Sequence, residues 1–259
     1  MSNFKEVEAT RPDWVERSVT YTKTKNPNWK LGDGPTDGGE CLSHKHIAID
    51  PYEDGRPSQF NYKLLSSAIV PRPIGVSSNL APFSHFQLVL HDPPIFVIGF
   101  TGGQTKDTLH NLIETEECCV NIISEHMIEA ANLASVDTPY GVSEWTLSGL
   151  HPAPCTTVAC SRVQESVFAM ECKLVEIKEF HSRKSNEKTG SMAVIEGVKF
   201  WVREDAINEE KNAIDLEVLR PVSRVGGVFG RTTDLFEIPR PRYEDIRGEA
   251  EQVLKNARQ

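Results

Sequence analysis

Short apolar runs separated by turn-forming residues dominate the pattern of this chain from about residue 60 onward. Residues 95–100 are almost wholly apolar and rich in β-branched and aromatic side chains, which predicts a buried strand. Residues 118–123, with Cys118, Cys119, Val120, Ile122 and Ile123, predict another. Between 167 and 177, Phe168, Met170, Cys172 and Leu174 alternate with mostly polar or smaller residues, the period of a long strand. Residues 192–202, carrying Trp201, predict its return, and the polar, basic residues 178–190 between them read as a solvated hairpin loop. A further apolar run at 86–90 ends at the turn formers His91, Asp92, Pro93 and Pro94.

Helical spacing is rarer. Leu109, Leu112 and Ile113 fall at i, i+3 and i+4, with Thr105 or Asp107 as the cap. Ser124 can cap a second helix that turns Ile128, Ala131 and Leu133 inward. Residues 243–257 predict a polar terminal helix with Ile246, Ala250 and Val253 on one side. Many strands, few helices and no regular βαβ alternation predict a mainly-β fold with attached helices, a β-barrel and not a doubly wound sheet. Three segments follow. Residues 1–59 form a turn-rich N-terminal extension, packed on the core through Trp14, Tyr21 and Trp29. Residues 60–231 form the core domain, and 232–259 a C-terminal tail with the helix. His44 and His46 alternate in the extension, but no third ligand stands near, so no metal site is read there.

Composition narrows the setting. The chain of 259 residues is long enough to bury a substantial core, and its 39% hydrophobic and 25% charged residues suit a soluble protein. No apolar run approaches the ~20 residues that span a bilayer, and residues 1–17 lack the apolar stretch of a secretory signal. The expected location is cytoplasmic. A net charge of −9 argues against nucleic acid or an anionic membrane as partner. Yet residues 61–110 carry three cations (Lys63, Arg72, Lys106) against two anions (Asp92, Asp107), a centre suited to a small anionic ligand. The six cysteines (41, 118, 119, 155, 160 and 172) contain no C-x-x-C and no zinc spacing. They read as reduced thiols used as small hydrophobes.

Several chemistries are excluded. G-x-G-x-x-G, G-x-S-x-G and H-E-x-x-H are absent, and residues 99–108 lack the Gly-Lys-Ser/Thr of an NTPase phosphate loop. No catalytic side chain is singled out. What remains is Lys106, Asp107 and Thr108 at a helix start. A lysine there opposes the helix dipole by a few tenths to ~1 kcal/mol. Two readings stand: a capped surface helix with a solvated lysine, or a phosphate held by Lys106, the Thr108 hydroxyl and free helix N–H groups. Residues 71–84 are the second feature. Pro71, Pro73 and Pro82 stiffen them, Arg72 adds charge, and Ser77, Ser78, Asn79 and Ser84 add polar atoms. A backbone held open in this way can pair with a flat heterocycle instead of a neighbouring strand. The plainer reading is a proline-rich edge strand. The two features together suit a mononucleotide.

Short motifs then occur in order: residues 67–75 (Ser-Ala-Ile-Val-Pro-Arg-Pro-Ile-Gly), 79–86 (Asn-Leu-Ala-Pro-Phe-Ser-His-Phe), Asp92-Pro93-Pro94, 106–111 (Lys-Asp-Thr-Leu-His-Asn), Val120-Asn121, Glu165-Ser166, Glu171-Cys172 and 224–227 (Arg-Val-Gly-Gly). Over residues 25–230 this set resembles the flavin reductase-like family of FMN-binding split-barrel proteins, flavoredoxin-like and of fungal type. The resemblance implies a split β-barrel at 60–231 and a homodimer with FMN in a groove at the subunit interface. By that resemblance Lys106 and Thr108 hold the phosphate. Arg72, Pro73, Ser77, Ser78, Asn79, Ala81 and Ser84 line the isoalloxazine and ribityl positions, and Arg224 and Gly227 lie near the cofactor. The implied chemistry is electron transfer between NADH or NADPH, flavin and a small-molecule acceptor. FMN does the chemistry and the protein positions it. The chain departs from the family pattern in one place: Val76 runs through Ser77 and Ser78 straight to Asn79, where members carry a longer hairpin. A second reading therefore stays open, a non-catalytic flavin-binding protein with weakened FMN binding.

Overall fold

A computed structural model of the protein describes residues 73–76, 79–103, 106–136, 138–139, 142–209, 213–226, 228–236 and 242–257, with residues 6, 9, 10, 13, 16, 18, 20–22, 28 and 55 besides. In chain order the strands and helices begin with β1 (Thr20–Thr22), β2 (Pro73–Val76), β3 (Leu80–Pro82), β4 (Phe86–His91), β5 (Pro94–Thr101), α1 (Asp107–Thr115) and β6 (Glu117–Ile122). There follow α2 (Ile128–Leu133), α3 (Glu144–Ser148), β7 (Pro152–Ala153), β8 (Arg162–Val163), β9 (Phe168–His181) and β10 (Lys188–Val202). The last are α4 (Leu216–Leu219), β11 (Val222–Val225), β12 (Val228–Arg231), β13 (Asp234–Phe236) and α5 (Tyr243–Asn256). Among the described residues no helix is long and apolar enough to cross a membrane.

The chain divides into two compact units, residues 1–50 with 233–259, and residues 51–232. In the first, β1 and β13 pair in parallel, Tyr21 opposite Leu235. Its terminal helix α5 opens on Glu244 and Asp245 and closes on Lys255, charges that complement the helix dipole. Trp14, Trp29, Cys41, His44 and His46 lie outside the described residues.

The second unit is built on a seven-stranded sheet in the order β3-β2-β6-β9-β10-β5-β4. The long β9–β10 hairpin is its spine, and all the neighbouring pairs are antiparallel. Alternation places Ile98 and Phe100 of β5, Val120 of β6, Met170 and Cys172 of β9, and Ala193 and Ile195 of β10 on the buried face. Helix α1 covers this face with Leu109 and Leu112, both almost fully buried.

Several local expectations change. Residues 178–190 are mostly strand, because cross-strand partners such as Lys188 and Glu179 form an ion pair and the turn shrinks to residues 182–187. The run at 86–90 is a strand, but Leu88, Val89 and Leu90 are about half exposed because β4 ends the sheet. Ile113 is likewise exposed, on the outer side of α1. Ser124 does not cap a helix. A 3-10 turn at Glu125–Met127 comes first, and the buried Ser124 hydroxyl has no hydrogen-bond partner among the described residues. Of the residues expected inward on α2, Ala131 is buried but Leu133 is exposed.

Candidate functional site

The stretch 71–84, expected to hold its backbone open, folds as two strands, and the second of them ends the sheet. Pro73–Val76 is an interior strand, bonded to β3 on one side and β6 on the other. Among the described residues the sheet ends at β3, so the main chain with a free side there belongs to Leu80–Pro82. One outward N–H of that edge is already taken: Leu80 N donates to Glu144 Oε2 at 3.4 Å. Glu144 is buried on α3, and its other oxygen accepts from the Thr138 hydroxyl at 2.7 Å. The hairpin register sets Val76 opposite Leu80, which leaves three residues, 77–79, between the paired positions.

A cavity of about 310 Å³ opens beside β3. Ala81, Pro82, Phe83, Ser84 and His85 form one wall. Phe83 is fixed by an edge-to-face contact with Phe100, ring centroids 5.2 Å apart. The chain at His85 lies tight against β5, with Gly99 N donating to His85 O at 2.7 Å. A Cβ at position 99 would stand 2.8 Å from the His85 Cβ, so this approach requires glycine. Ile123, Ile128, Ala131, Asn132 and Ser135 form the helical wall.

Two cations complete the lining. Lys106 occupies the N-cap position of α1, with extended backbone and no side-chain cap. The cap expected from Asp107 is not formed, because Asp107 is already the first residue of the helix. Exposed N–H groups at such a terminus, with the dipole behind them, favour an anion. The Lys106 ammonium has no partner among the described residues. Arg224, on β11, donates from Nε to Gly226 O at 2.8 Å, and its guanidinium lies 4.4 Å from the Phe229 ring centroid. Among the described lining residues there is no carboxylate.

Of the residues singled out in the sequence, this cavity brings together Ala81, Ser84, Lys106 and Arg224. Asn79 and Thr108 meet each other instead. Asn79 Nδ2 donates to Thr108 Oγ1 at 2.9 Å, and Asn111 Nδ2 donates to Asn79 Oδ1 at 3.3 Å. Thr108 and Asn111 are buried, so this cluster ties the β2–β3 hairpin to the first turns of α1. Pro73 lies on β2. Arg72, Ser77, Ser78 and Gly227 lie outside the described residues. The sequence reading gave no role to His85, Asn132, Ser135 and Phe229. His85 lies within the motif 79–86, whereas the other three sit in a short helix, its flank and a strand that carry no motif.

A second polar cluster lies elsewhere in the same unit. Glu171 on β9 is fully buried. It accepts from the main-chain N–H of Thr156 at 3.0 Å, Thr157 at 2.6 Å and Val158 at 3.1 Å, and from Trp201 Nε1 at 2.6 Å. The Thr157 hydroxyl donates as well. Burial disfavours the ionised carboxyl, but donation from Thr157, Thr156 and Trp201 outweighs it and holds the pKa down to about 2. Among the described residues no group of histidine, cysteine or acidic side chains is placed to hold a metal ion.

Comparison with known proteins gives this geometry a family. 2-Nitrobenzoate 2-nitroreductase NbaA of Pseudomonas fluorescens is 34% identical, with a TM-score of 0.65 over 77% of this chain and 98% of that one. Nitrilotriacetate monooxygenase component B of Bacillus cereus is 28% identical, with a TM-score of 0.68 over 75% of this chain and all of that one. A split-barrel-domain protein of Shewanella frigidimarina is 20% identical, with a TM-score of 0.61 over 73% and 96% of the two chains. That likeness is one of fold, and it identifies the mainly-β sheet with its attached helices as a split barrel. The family described as flavin reductase like domain matches residues 69–216, more than half of the sequence and all seven strands of the large sheet. The chain belongs to that family.

Proposed function

We propose that the cavity beside β3 binds FMN and that the protein is an oxidoreductase of flavin reductase type, passing electrons from NADH or NADPH through flavin to a small-molecule acceptor. One observation carries this reading: a cavity of mixed polar and apolar lining that holds Lys106 and Arg224 and no carboxylate among the described lining residues. Its volume of about 310 Å³ lies at the small end of ligand pockets, which run from roughly 300 to 1,000 Å³. Lys106 and the uncapped start of α1 suit a phosphate. The Ser84 side chain and the main chain of β3 suit the polar edge of a flat ring. The Thr108 hydroxyl, engaged with Asn79, is assigned the role of holding the hairpin against that helix start. Bound FMN supplies two-electron transfer, and these residues bind and orient it. The names of the two more similar solved proteins, a nitroreductase and a monooxygenase component, agree with redox work. A homodimer belongs to the same proposal. The exposed Leu88, Val89 and Leu90 on the end strand are a face that a second copy would cover.

The three-residue connection between Val76 and Leu80 favours the second reading, a flavin-binding protein with weakened affinity and no turnover. Absorption spectroscopy with added FMN separates the two. Flavin bands bleached by NADH or NADPH are expected. Bound flavin that neither nucleotide reduces selects the second reading, and a protein that ignores FMN removes both. Lys106→Ala is expected to weaken FMN about tenfold or more, the effect of a lost charge-assisted hydrogen bond. Unchanged affinity in a fluorescence titration would reject its assignment to the phosphate.

A further inference from the structure

A second hollow shares a wall with the cavity beside β3. Its volume is about 540 Å³, within the roughly 300–1,000 Å³ of ligand pockets. Ser84, His85, Gly99, Phe100 and Thr101 line both. Strand register explains where it lies. Alternation along β5 turns Ile98 and Phe100 to the buried face, and therefore Val97, Gly99 and Thr101 to the other. Val97 pairs with Gln87 of β4, Gly99 with Met192 of β10, and Thr101 with Gly190, which also pairs with Phe180 of β9. All of these line the hollow, so it is a groove running across four neighbouring strands on that face.

Two glycines keep its floor low. A Cβ at Gly190 would stand 2.6 Å from the Phe100 main-chain oxygen, and one at Gly99 would meet the His85 Cβ, so neither position accepts a side chain. Phe180, Met192, Val97 and His85 stand around that floor. Charge separates the two compartments. The cavity beside β3 holds Lys106 and Arg224, whereas the groove has no lysine, arginine, aspartate or glutamate among its described lining residues. Lys178, opposite Met192 on β9, is engaged with the Phe180 ring, its ammonium 5.8 Å from the centroid. An ion entering a site without a partner loses its water uncompensated, so this lining selects an uncharged molecule. Thr101 contributes a hydroxyl. Gln87 Nε2 donates to Leu88 O at 3.3 Å and has a second hydrogen to offer. Both groups suit carbonyl oxygens on a ring.

We propose that this groove binds an uncharged, flat ring of quinone type. A flat ring fits a floor without side chains, packs against the Phe180 ring and the Met192 thioether, and accepts hydrogen bonds from Thr101 and Gln87. Binding of such a ring stands apart from the flavin reading. Its role as the small-molecule acceptor rests on that reading. The wall common to both compartments sets the groove next to the cavity beside β3. An anionic cofactor is drawn to Lys106 and Arg224 on one side of that wall, and an uncharged ring to the other. The two ligands differ in charge, so neither competes for the other's place.

The test uses the full-length protein, first without FMN. The probe is duroquinone, tetramethyl-1,4-benzoquinone, whose ring has no open carbon for the protein's thiols to add to. In equilibrium dialysis a single duroquinone should bind per chain. The same ring carrying a carboxylate, 2,3,5,6-tetramethylbenzoate, should bind about tenfold or more weakly. Phe180→Ala should weaken duroquinone about threefold to tenfold, the size of an aromatic contact, and leave FMN affinity unchanged. Met192→Trp should fill the groove and abolish binding. If that variant does not fold, Phe180→Ala decides, because its ring is 44% exposed and its loss spares the core. Failure to bind duroquinone, equal affinity for the two rings, or unchanged affinity in Phe180→Ala would each overturn the proposal. Competition by FMN would overturn it too, by placing the ring in the cavity beside β3. So would binding that is lost as rising protein concentration drives copies together, which would give the groove to a second copy. Duroquinone that binds where FMN does not removes the flavin reading and keeps the groove's ligand, and FMN bound without duroquinone does the reverse.

Discussion

Glu171→Gln should weaken the protein far more than loss of one surface charge. The side chain is fully buried and accepts from four N–H donors and the Thr157 hydroxyl. Glutamine keeps the shape but sets an NH2 group against N–H donors that need an acceptor. The magnitude follows from linkage. A carboxyl held at about 2 in the folded protein, against 4.5 in the unfolded chain, contributes up to ~3 kcal/mol at about 1.4 kcal/mol per tenfold. Because the folded value is the lower one, the contribution is complete above the unfolded value and is lost as pH falls toward 2. For a unit of this size, about 3 kcal/mol corresponds to a Tm lower by roughly 6–12 °C. Urea unfolding of both proteins between pH 7 and pH 3 is the assay. The gap should be widest at pH 7 and narrow steadily on acidification. Glu117 and Glu165, whose pKa values are also lowered, remain in both chains, so the difference isolates position 171. A gap under ~0.5 kcal/mol at pH 7, or one that does not change with pH, refutes the reasoning.

Asn79→Ala removes the partner of Thr108 and Asn111 and should cost about 1–3 kcal/mol, read from the denaturant midpoint. It should also loosen FMN binding, because the hairpin and the α1 terminus would no longer be held together. An unchanged midpoint would show that the cluster is not holding them. Gly99→Ala places a Cβ 2.8 Å from the His85 Cβ and should destabilise by about 1–3 kcal/mol. Since His85 lines the cavity, FMN affinity should fall with it. Full affinity and full stability together would mean that His85 moves without affecting the site.

The legible parts of the fold were those with local causes. The apolar run of β5 and the spacing of Leu109 and Leu112 on α1 have one reading each, and the structure keeps both. What escaped depends on distant neighbours. Nothing local distinguishes an interior strand at Pro73–Val76 from an edge strand, since the difference is the presence of β6 on its far side. The apolar residues of β4 and of an interior strand look alike, although Leu88 and Leu90 end up half exposed. Glu171 was visible as part of a motif, but not as a buried acceptor, because most of its donors are main-chain N–H groups that leave no mark in a sequence. At the cavity, Lys106 and Ser84 were legible as charge and polarity in the right order. The helical wall from Ile123 to Ser135 was not, because it is assembled from a short helix and its flanks.

The strand order also has a temporal consequence. The spine of the sheet, β9 and β10, is a local hairpin, but its flanking partners β6 and β5 come from much earlier in the chain. Gly190 must find Thr101, and Lys173 must find Glu117. Such distant pairings close large loops and slow the approach to the native state. On the ribosome, at roughly 5–20 residues per second, β2 to β6 would wait on the order of 4–16 s for the hairpin that completes their sheet. During that interval the apolar faces of β5 and β6 have nothing native to cover them. Nascent chains should therefore engage holdase chaperones most strongly before β10 emerges, and release them once the hairpin has formed.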